Sequence, residues 1–194
     1  MKLILTSNNI FSNGLDLKKI AQTIYRGDES KIGLEDFDPE YGTKVLGKQL
    51  GTSMGEGPGM YFTTSLKNAK NYGEFISEYI INPNVNIIST QHPKLNKSQI
   101  KNIINKIPNE IIEIASSNWD EDINVGKNIL IETILNNNNI IEQLMNIWAE
   151  IFYQQKPKMF MDLMKEIGID GIIIDRGEYN NYVIYNLSVV KKFT

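Results

Sequence analysis

The chain has 194 residues, which predicts a single domain with a substantial hydrophobic core. A hydrophobic content of 41% and a charged content of 22% are ordinary for a globular protein, and a net charge of −3 argues against a broad basic surface for nonspecific nucleic-acid binding. The complete absence of cysteine excludes disulfides, thiolate nucleophiles and cysteine-ligated zinc.

The first residues and the single histidine exclude further classes. Residues 1–8 turn polar too soon for a signal peptide, and no apolar run approaches the length of a membrane span. We therefore expect a cytosolic protein, or one delivered into the cytosol of a target cell, with no membrane partner. His92 precedes Pro93 and is predicted to lie in a surface loop. Ser-His-Asp catalysis would need this one histidine, and no Gly-x-Ser-x-Gly motif accompanies it.

The first part of the chain, residues 1–95, is predicted to be mixed α/β. Leu15–Gln22 has apolar residues near helical spacing and is predicted to be a helix. Thr23–Arg26 follows as a short strand that ends at Gly27. The polar connection over residues 28–58 contains several glycines, and loops of this length in compact domains are usually functional or mobile.

A strand, a helix and two more strands are predicted after that connection. Met60–Thr63 is the strand, and Ser65 is the N-cap of the helix, which stops at Gly73. Phe75–Ile81 and Val85–Ile88 are the further strands, since both are apolar runs bounded by turn residues.

The middle of the chain, residues 96–167, is predicted to be helical. Ser98–Ile107 has an amphipathic pattern stopped by Pro108. Similar patterns predict four more helices, at Ile111–Ala115, Ile129–Leu135, Ile140–Phe152 and Pro157–Ile167. Methionine and aromatic side chains of the last two helices are predicted to fill the core, with a groove for a partner as the alternative.

The last part of the chain returns to β structure. Gly171–Asp175 is predicted to be a buried strand, Arg176–Asn181 a polar turn, and Tyr182–Tyr185 the answering strand of a hairpin. Two β-rich ends thus flank a helical middle, and the predicted fold class is α+β.

Groups suited to ligand binding are concentrated between Gly57 and Gly73. The glycine-rich lead-in at residues 57–59 would allow a ligand to approach the backbone closely, because glycine has no Cβ. Three hydroxyl side chains follow where the strand gives way to the helix, a place that supplies donors for phosphate or amide groups: Thr63, Thr64 and Ser65.

Three segments of the sequence resemble the ADP-ribosyltransferase superfamily in content and order. They are Ile24–Gly27, Gly59–Ser65 with its helix to Tyr72, and Ile169–Ile174 leading to Asn181–Asn186. The similarity is greatest to small bacterial and phage-type domains, in which an aspartate-glycine strand precedes a strand resembling Tyr-Val-Val-Phe-Asn. It covers both β-rich ends, leaves the middle unmatched, and mixes features of the family's histidine-tyrosine-glutamate and arginine-serine-glutamate branches.

The resemblance implies a fold and a reaction. The fold would be two packed antiparallel sheets around a cleft that holds bent NAD, in one domain of residues 1–194 with residues 96–167 as a helical insertion. NAD would be a consumed substrate: nicotinamide leaves, and ADP-ribose passes to a macromolecular acceptor, with a protein favoured over a nucleic acid. Such a protein could act as a toxin or effector, and no metal is implied.

The resemblance also implies which side chains bind NAD. Arg26, between its strand neighbours Tyr25 and Gly27, would grip the phosphates as a planar and permanently charged fork; the alternative is a surface salt bridge. The nicotinamide ring would lie between Tyr61 and Tyr72, and Thr64 or Ser65 would hold the ribose and the neighbouring loop. Gly59 and Thr63 belong to the same NAD-binding segment. For both tyrosines the alternative is core packing with a hydrogen-bonded hydroxyl.

A catalytic glutamate is implied at, or just before, the last conserved strand, where its carboxylate would stabilise the positive charge that develops on the ribose. In this sequence that position is Asn181, and the nearest acid is Glu178 in the preceding turn. Glu178 is the candidate acid. The alternatives are a solvated turn residue and a site without a glutamate, in which Asn181 hydrogen-bonds the ribose.

The acids of the connection over residues 28–58 are the remaining candidates for chemistry. Their spacing matches no calcium loop, and a solvated loop explains them better than a metal site does: Asp36, Asp38, Glu40 and Glu56.

Two alternatives to ADP-ribose transfer stay open. One is an inactive relative that binds NAD, ADP-ribose or a protein partner through the same cleft, which Asn181 at the glutamate position supports. The other is an NAD glycohydrolase, for which water is the acceptor.

Overall fold

A computed structural model describes residues 22–31, 33–40, 57–116, 122–153 and 155–193. Nearly all of the helix predicted at Leu15–Gln22 lies outside the described residues, as does Glu56, and Gln22 itself begins the first strand. The described part of the chain is mixed α and β, as the sequence predicts.

In the described part of the chain, seven strands form one curled sheet of mixed direction. In chain order they are β1 (Gln22–Asp28), β2 (Met60–Thr63), β3 (Phe75–Ile81), β4 (Ile87–Ile88), β5 (Gly171–Asp175), β6 (Asn180–Ile184) and β7 (Val190–Lys192). Their order across the sheet is β4-β5-β6-β2-β1-β3-β7. Neighbouring strands are antiparallel except β4 and β5, which are parallel.

The helices lie mainly between β4 and β5 in the chain. They are α1 (Leu66–Ala69), α2 (Lys97–Ile104), α3 (Asn109–Ser116), α4 (Ile123–Leu135), α5 (Ile140–Asn146), a π-helical stretch (Ile147–Ile151), α6 (Pro157–Glu166) and a 3₁₀ turn (Leu187–Val189). Over the described ranges, none of these helices has the length and apolar character needed to cross a membrane.

Local sequence explains where the helices begin. Asn96 forms a capping box with Gln99 at the start of α2, and the side chains of Asp122 and Asn139 accept backbone N–H groups at the starts of α4 and α5. These caps satisfy donors that the first helical turn leaves without partners. The α6 helix begins at Pro157, whose fixed φ and missing N–H suit that position.

Apolar side chains on the two faces of the sheet belong to two separate cores. The larger core contains the helices and side chains from β4, β5 and β6, such as Ile88, Ile172 and Val183. The smaller core lies on the opposite face and includes Ile24 from β1 and Tyr79 from β3. Because successive side chains of a strand point to opposite faces, β5 and β6 contribute to both cores.

The expected pair of antiparallel sheets is replaced by a single sheet, because β1 and β2 join its two halves. The junction is narrow. Only Tyr25 and Thr63 are in register across it, whereas β1 and β3 pair from Gln22 to Asp28. The two strands therefore diverge beyond the Tyr25–Thr63 pair.

The β5–β6 hairpin and the helical middle are confirmed, with changes at several boundaries, such as that of α4, which begins at Ile123 instead of Ile129. The polar turn predicted over Arg176–Asn181 is shorter than expected, because β6 begins at Asn180 and so includes Asn181. The helix predicted at Ile140–Phe152 is α-helical only to Asn146 and then becomes π-helical.

Candidate functional site

Residues from the three family-like segments meet where β1, β2 and β6 lie side by side. Tyr25 stands opposite Thr63 in the pairing register, and Thr63 stands opposite Asn181. Register partners project to the same face of a sheet. This face carries the helices, because Val183, two residues after Asn181, belongs to the larger core. We refer to Tyr25, Thr63 and Asn181 as the polar row.

Thr63 is buried at the centre of the polar row and organises the start of α1. Its Oγ1 accepts hydrogen bonds from the backbone N–H of Ser65 at 3.2 Å and from Nδ2 of Asn68 at 3.4 Å. The Ser65 hydroxyl accepts the backbone N–H of Asn68 at 3.1 Å, so Ser65 is the N-cap that the sequence predicts. Because Thr63 acts as the acceptor in both of its bonds, its hydroxyl proton is left to donate to a neighbour or a ligand.

Thr64 joins the end of β2 to the start of β6. Its backbone N–H donates to the carbonyl of Asn180 at 2.9 Å, and its Oγ1 accepts the backbone N–H of Asn180 at 3.0 Å. These two bonds fix the hairpin turn beside the hydroxyl cluster, so the Thr64 side chain already has a structural role.

Arg26 is held by a carboxylate and a backbone carbonyl. Its Nε donates to Oδ2 of Asp28 at 3.0 Å, and its Nη2 lies 2.6 Å from Oδ1 of Asp28. Its Nη1 donates to the carbonyl of Tyr61 at 3.1 Å. The side chains of Arg26 and Asp28 are only 20% and 7% exposed, so the salt bridge considered from the sequence is present but largely buried. A guanidinium has five N–H donors, and these contacts engage three of them.

Arg26 follows Tyr25 in β1, so its side chain leaves the strand on the opposite face. The polar row lies on the Tyr25 face of the sheet, and Arg26 lies on the other face. The guanidinium lies in the opening where β1 and β2 diverge. There its bond to the Tyr61 carbonyl takes the place of a backbone hydrogen bond between the two strands. Arg26 is thus near the polar row without pointing to the same side of the sheet.

Gly27 is required by packing within the protein. A Cβ at Gly27 would lie 2.0 Å from the carbonyl oxygen of Ala69 in α1, and one at Gly73 would lie 2.0 Å from the carbonyl carbon of Asp28. Real Cβ atoms do not approach backbone so closely. These two glycines therefore allow α1 and the residues after it to pack directly on the end of β1.

Tyr61 anchors the glycine-rich lead-in. Its hydroxyl donates to the carbonyl of Gly57 at 2.6 Å, and burial raises the pKa of Tyr61 well above its usual range. The lead-in packs against the protein itself, because a Cβ at Gly57 would lie 2.9 Å from Cε of Met145 and one at Gly59 would lie 2.6 Å from Cγ1 of Val183. Tyr61 therefore packs against the larger core with its hydroxyl hydrogen-bonded, which is the alternative to a role in binding nicotinamide.

Tyr72 is on the surface, so the alternative of core packing is wrong for this residue. Its side chain is 61% exposed, and two other apolar side chains near α1 are also exposed, Leu66 at 44% and Phe75 at 46%. Tyr72 is therefore accessible to a planar ligand.

The two candidates for the catalytic position differ in exposure. Glu178 is exposed in the turn between β5 and β6, where its backbone N–H donates to the carbonyl of Arg176 at 3.1 Å. Asn181 is half-buried in β6, and its side-chain amide makes no hydrogen bond to the rest of the described chain. The amide is in the polar row, whereas the carboxylate is at the end of the hairpin.

Sequence reasoning missed Asp28 as the partner of Arg26. The two residues are separated by one position in a strand, which puts them on the same face, so the Arg-x-Asp spacing was a usable signal. It also missed the role of Asp170, whose carboxylate accepts the N–H of Asn86 at 2.9 Å and the Nδ2 of Asn186 at 2.7 Å. The aspartate-glycine motif thus joins the segments before β4 and after β6 and has a structural role.

The loop acids Asp36 and Asp38 form local hydrogen bonds, and Glu40 forms one to the start of α6. Asp36 accepts the N–H of Gly33 at 2.9 Å, and Asp38 accepts the N–H of Glu40 at 2.9 Å. Glu40 in turn accepts the N–H of Lys158 at 3.3 Å. Within the described ranges, no three acidic or histidine side chains are grouped so that they could hold a metal ion.

His92 lies in the loop after β4, as predicted. Its Nδ1 accepts the backbone N–H of Ser89 at 3.0 Å and lies 3.1 Å from the Ser89 hydroxyl. These contacts close the loop, and His92 has no place in the candidate site.

Comparison with known proteins does not identify a family for this chain. No family model matches it, and no curated protein matches it significantly. A solved structure described as the crystal structure of an anti-CRISPR protein aligns with 92% of this chain and 99% of its own length, at 12% identity and a TM-score of 0.37. A TM-score this low carries no conclusion about fold or function.

Proposed function

We propose that the protein binds NAD at the opening between β1 and β2 and transfers ADP-ribose to a macromolecular acceptor. One observation carries the proposal. Arg26, Thr63 and Asn181 come from three segments far apart in sequence, yet they lie on the neighbouring strands β1, β2 and β6. Thr63 and Asn181 share one face of the sheet, and the Arg26 guanidinium reaches the β1–β2 opening from the other face. These are the segments in which the sequence resembles ADP-ribosyltransferases.

Each side chain has a role that suits its contacts. Arg26 would bind phosphate through the N–H groups that Asp28 and Tyr61 do not engage. The hydroxyl proton of Thr63 and the amide of Asn181 would meet the ribose hydroxyl groups. The exposed ring of Tyr72 would cover the nicotinamide.

The reaction breaks the bond between the nicotinamide nitrogen and ribose C1′. The electron pair of this bond stays with nicotinamide, which leaves as a neutral ring, and the ribose carries the positive charge. A nucleophile on the acceptor then attacks C1′ and loses a proton. Glu178 would stabilise the cation and accept that proton, which requires the turn to bring its carboxylate over the polar row when NAD binds.

Incubation with NAD labelled in its adenylate part, with and without cell extract, tests this function. We expect labelled macromolecules and free nicotinamide, with both lost in Glu178→Ala. Glu110→Ala, which removes an exposed glutamate from α3, is the matched control and should leave the activity unchanged. Nicotinamide release that persists in Glu178→Ala would remove that residue from the mechanism. Free labelled ADP-ribose without labelled macromolecules would identify hydrolysis.

Asn181 favours a second function, which is binding of NAD or ADP-ribose without turnover. An amide does not stabilise a developing cation as a carboxylate does, and this amide is the group that lies in the polar row. Calorimetric binding of ADP-ribose by a protein that releases no nicotinamide would support this function. In that case Asn181→Glu should introduce NAD cleavage, and Asn181→Gln should not.

A further inference from the structure

The phosphate-binding candidate already holds an anion from its own strand. The Asp28 carboxylate spans Nε and Nη2 of Arg26 at 3.0 and 2.6 Å, which is the bidentate geometry that a phosphate group also adopts with arginine. The Asp28 side chain is 7% exposed, so water screens this pair little. Any phosphate at Arg26 must share the guanidinium with this carboxylate or displace it.

The charges of Arg26, Asp28 and Glu35 all act on the nearby Tyr79 hydroxyl. Burial raises the pKa of the nearby Tyr79 hydroxyl; the Ser77 hydroxyl and Arg26 lower it, and Asp28 and Glu35 raise it. Three charged groups therefore act on one hydroxyl, and two of the three are carboxylates. Because the Asp28 carboxylate is paired with the guanidinium, a diphosphate that approaches Arg26 meets little net positive charge.

Resting on the proposed function, we propose that Asp28 is an internal competitor for the phosphate-binding fork of Arg26 and sets the affinity of the site for phosphorylated ligands. The carboxylate occupies the Nε–Nη2 edge and leaves one further N–H on each terminal nitrogen. Asp28 thereby weakens the site for a doubly charged diphosphate and leaves it unchanged for an uncharged nucleoside.

Asp28→Asn is the direct test, because it removes the charge while keeping the side-chain shape and one oxygen acceptor for Arg26. We expect ADP-ribose and inorganic pyrophosphate to bind about tenfold more tightly to this variant, since one carboxylate charge close to a phosphate is removed from a largely buried site. Adenosine should bind both proteins equally. A purely structural role for Asp28 would change all three ligands alike.

Two further variants isolate the effect. Glu29→Gln removes the charge of the exposed neighbouring acid and should change binding less than Asp28→Asn does. The double variant Arg26→Gln, Asp28→Asn should lose the gain, because the gain acts through the guanidinium. Unchanged circular dichroism of Asp28→Asn establishes that the fold persists.

The wild-type protein offers an independent measurement should Asp28→Asn fail to fold. Because Asp28 neutralises Arg26, the dissociation constant of ADP-ribose should rise less than about twofold between low and high salt. A steep salt dependence would overturn the proposal.

The outcomes also separate this inference from the proposed function. If the wild type binds ADP-ribose and Asp28→Asn binds it equally or more weakly, the competitor role is overturned and the proposed function stands. If neither protein binds ADP-ribose or NAD, both are overturned.

Discussion

Single residues at the β1–β2 opening combine structural and ligand-directed features. Thr63 is 3% exposed, and its oxygen accepts two hydrogen bonds that fix the turn into α1. The hydroxyl proton is not used in these two bonds, so the same side chain can also donate a hydrogen bond to a ligand. Asn181 is the register partner of Thr63 in β6, and its side-chain amide makes no hydrogen bond within the described chain.

Thr63→Val tests the structural half of this description. Valine has nearly the same shape but no oxygen, so the N–H of Ser65 and the amide of Asn68 lose their acceptor. We expect the free energy of unfolding to fall by about 1–3 kcal/mol, measured by chemical denaturation. Thr63→Ser keeps the oxygen and should recover most of the loss. A valine variant as stable as the wild type would contradict the role.

At the scale of elements, the packing of α1 on β1 fixes the shape of the site. The helix has only four residues, from Leu66 to Ala69, so its position depends on the Ser65 cap and on contact with β1. That contact is possible because Gly27 and Gly73 present no side chains where the backbones meet.

Gly27→Ala should therefore disturb α1 far more than a glycine substitution elsewhere. The added Cβ would lie 2.0 Å from the backbone carbonyl oxygen of Ala69. A backbone carbonyl cannot rotate away from the clash as the end of a flexible side chain can. We expect a loss of about 3 kcal/mol in unfolding free energy, at the upper end of overpacking effects. Gly177→Ala is the control: its Cβ would meet nothing within 4 Å, so only the strain of φ +79° remains, about 1 kcal/mol. Equal losses in the two variants would refute the packing argument.

Elements were predictable from sequence where their determinants are local. The β5–β6 hairpin and the Ser65 cap each follow from a pattern within a few residues. The single register pair of Tyr25 and Thr63, which converts two expected sheets into one, depends on long-range pairing that no local pattern encodes. The pairing of Arg26 with Asp28 is intermediate between these cases. The two residues are close in sequence, but several acids follow Arg26, and only the fold shows which of them forms the ion pair.

At the scale of the whole molecule, two cores on opposite faces of the sheet bury several tyrosines. Burial raises the pKa values of Tyr61, Tyr182 and Tyr185. The Tyr185 hydroxyl is buried and has no hydrogen-bond partner in the described part of the protein. The composition predicted a substantial core, but the division into two cores follows from the sheet order, which the sequence did not disclose.

The buried tyrosines give the protein a defined response to alkali. In the unfolded chain they lose protons near pH 10, about their ordinary pKa, whereas in the folded protein they hold them to higher pH. Above about pH 10 the folded state therefore binds more protons, and the free energy of unfolding falls as the pH rises. Titration by phenolate absorbance should show the buried tyrosines Tyr61, Tyr182 and Tyr185 ionising only with unfolding.

Tyr185→Phe is the matched variant for this titration. It removes a buried hydroxyl without a partner, so stability at neutral pH should stay the same or increase. Its stability should also fall less steeply with alkali than that of the wild type. Ionisation of Tyr61, Tyr182 and Tyr185 near the ordinary pKa of tyrosine, with the fold intact, would contradict their burial.

The central claim is that the opening between β1 and β2, with the polar row beside it, is an NAD site. Titration of the ¹⁵N-labelled protein with NAD, followed by amide chemical shifts, tests it most directly because it locates the ligand. We expect the largest shifts at Gly27, Thr63, Ser65 and Asn181, all lost in Arg26→Gln. Shifts confined to another part of the chain, or no shifts with NAD or ADP-ribose, would contradict the claim.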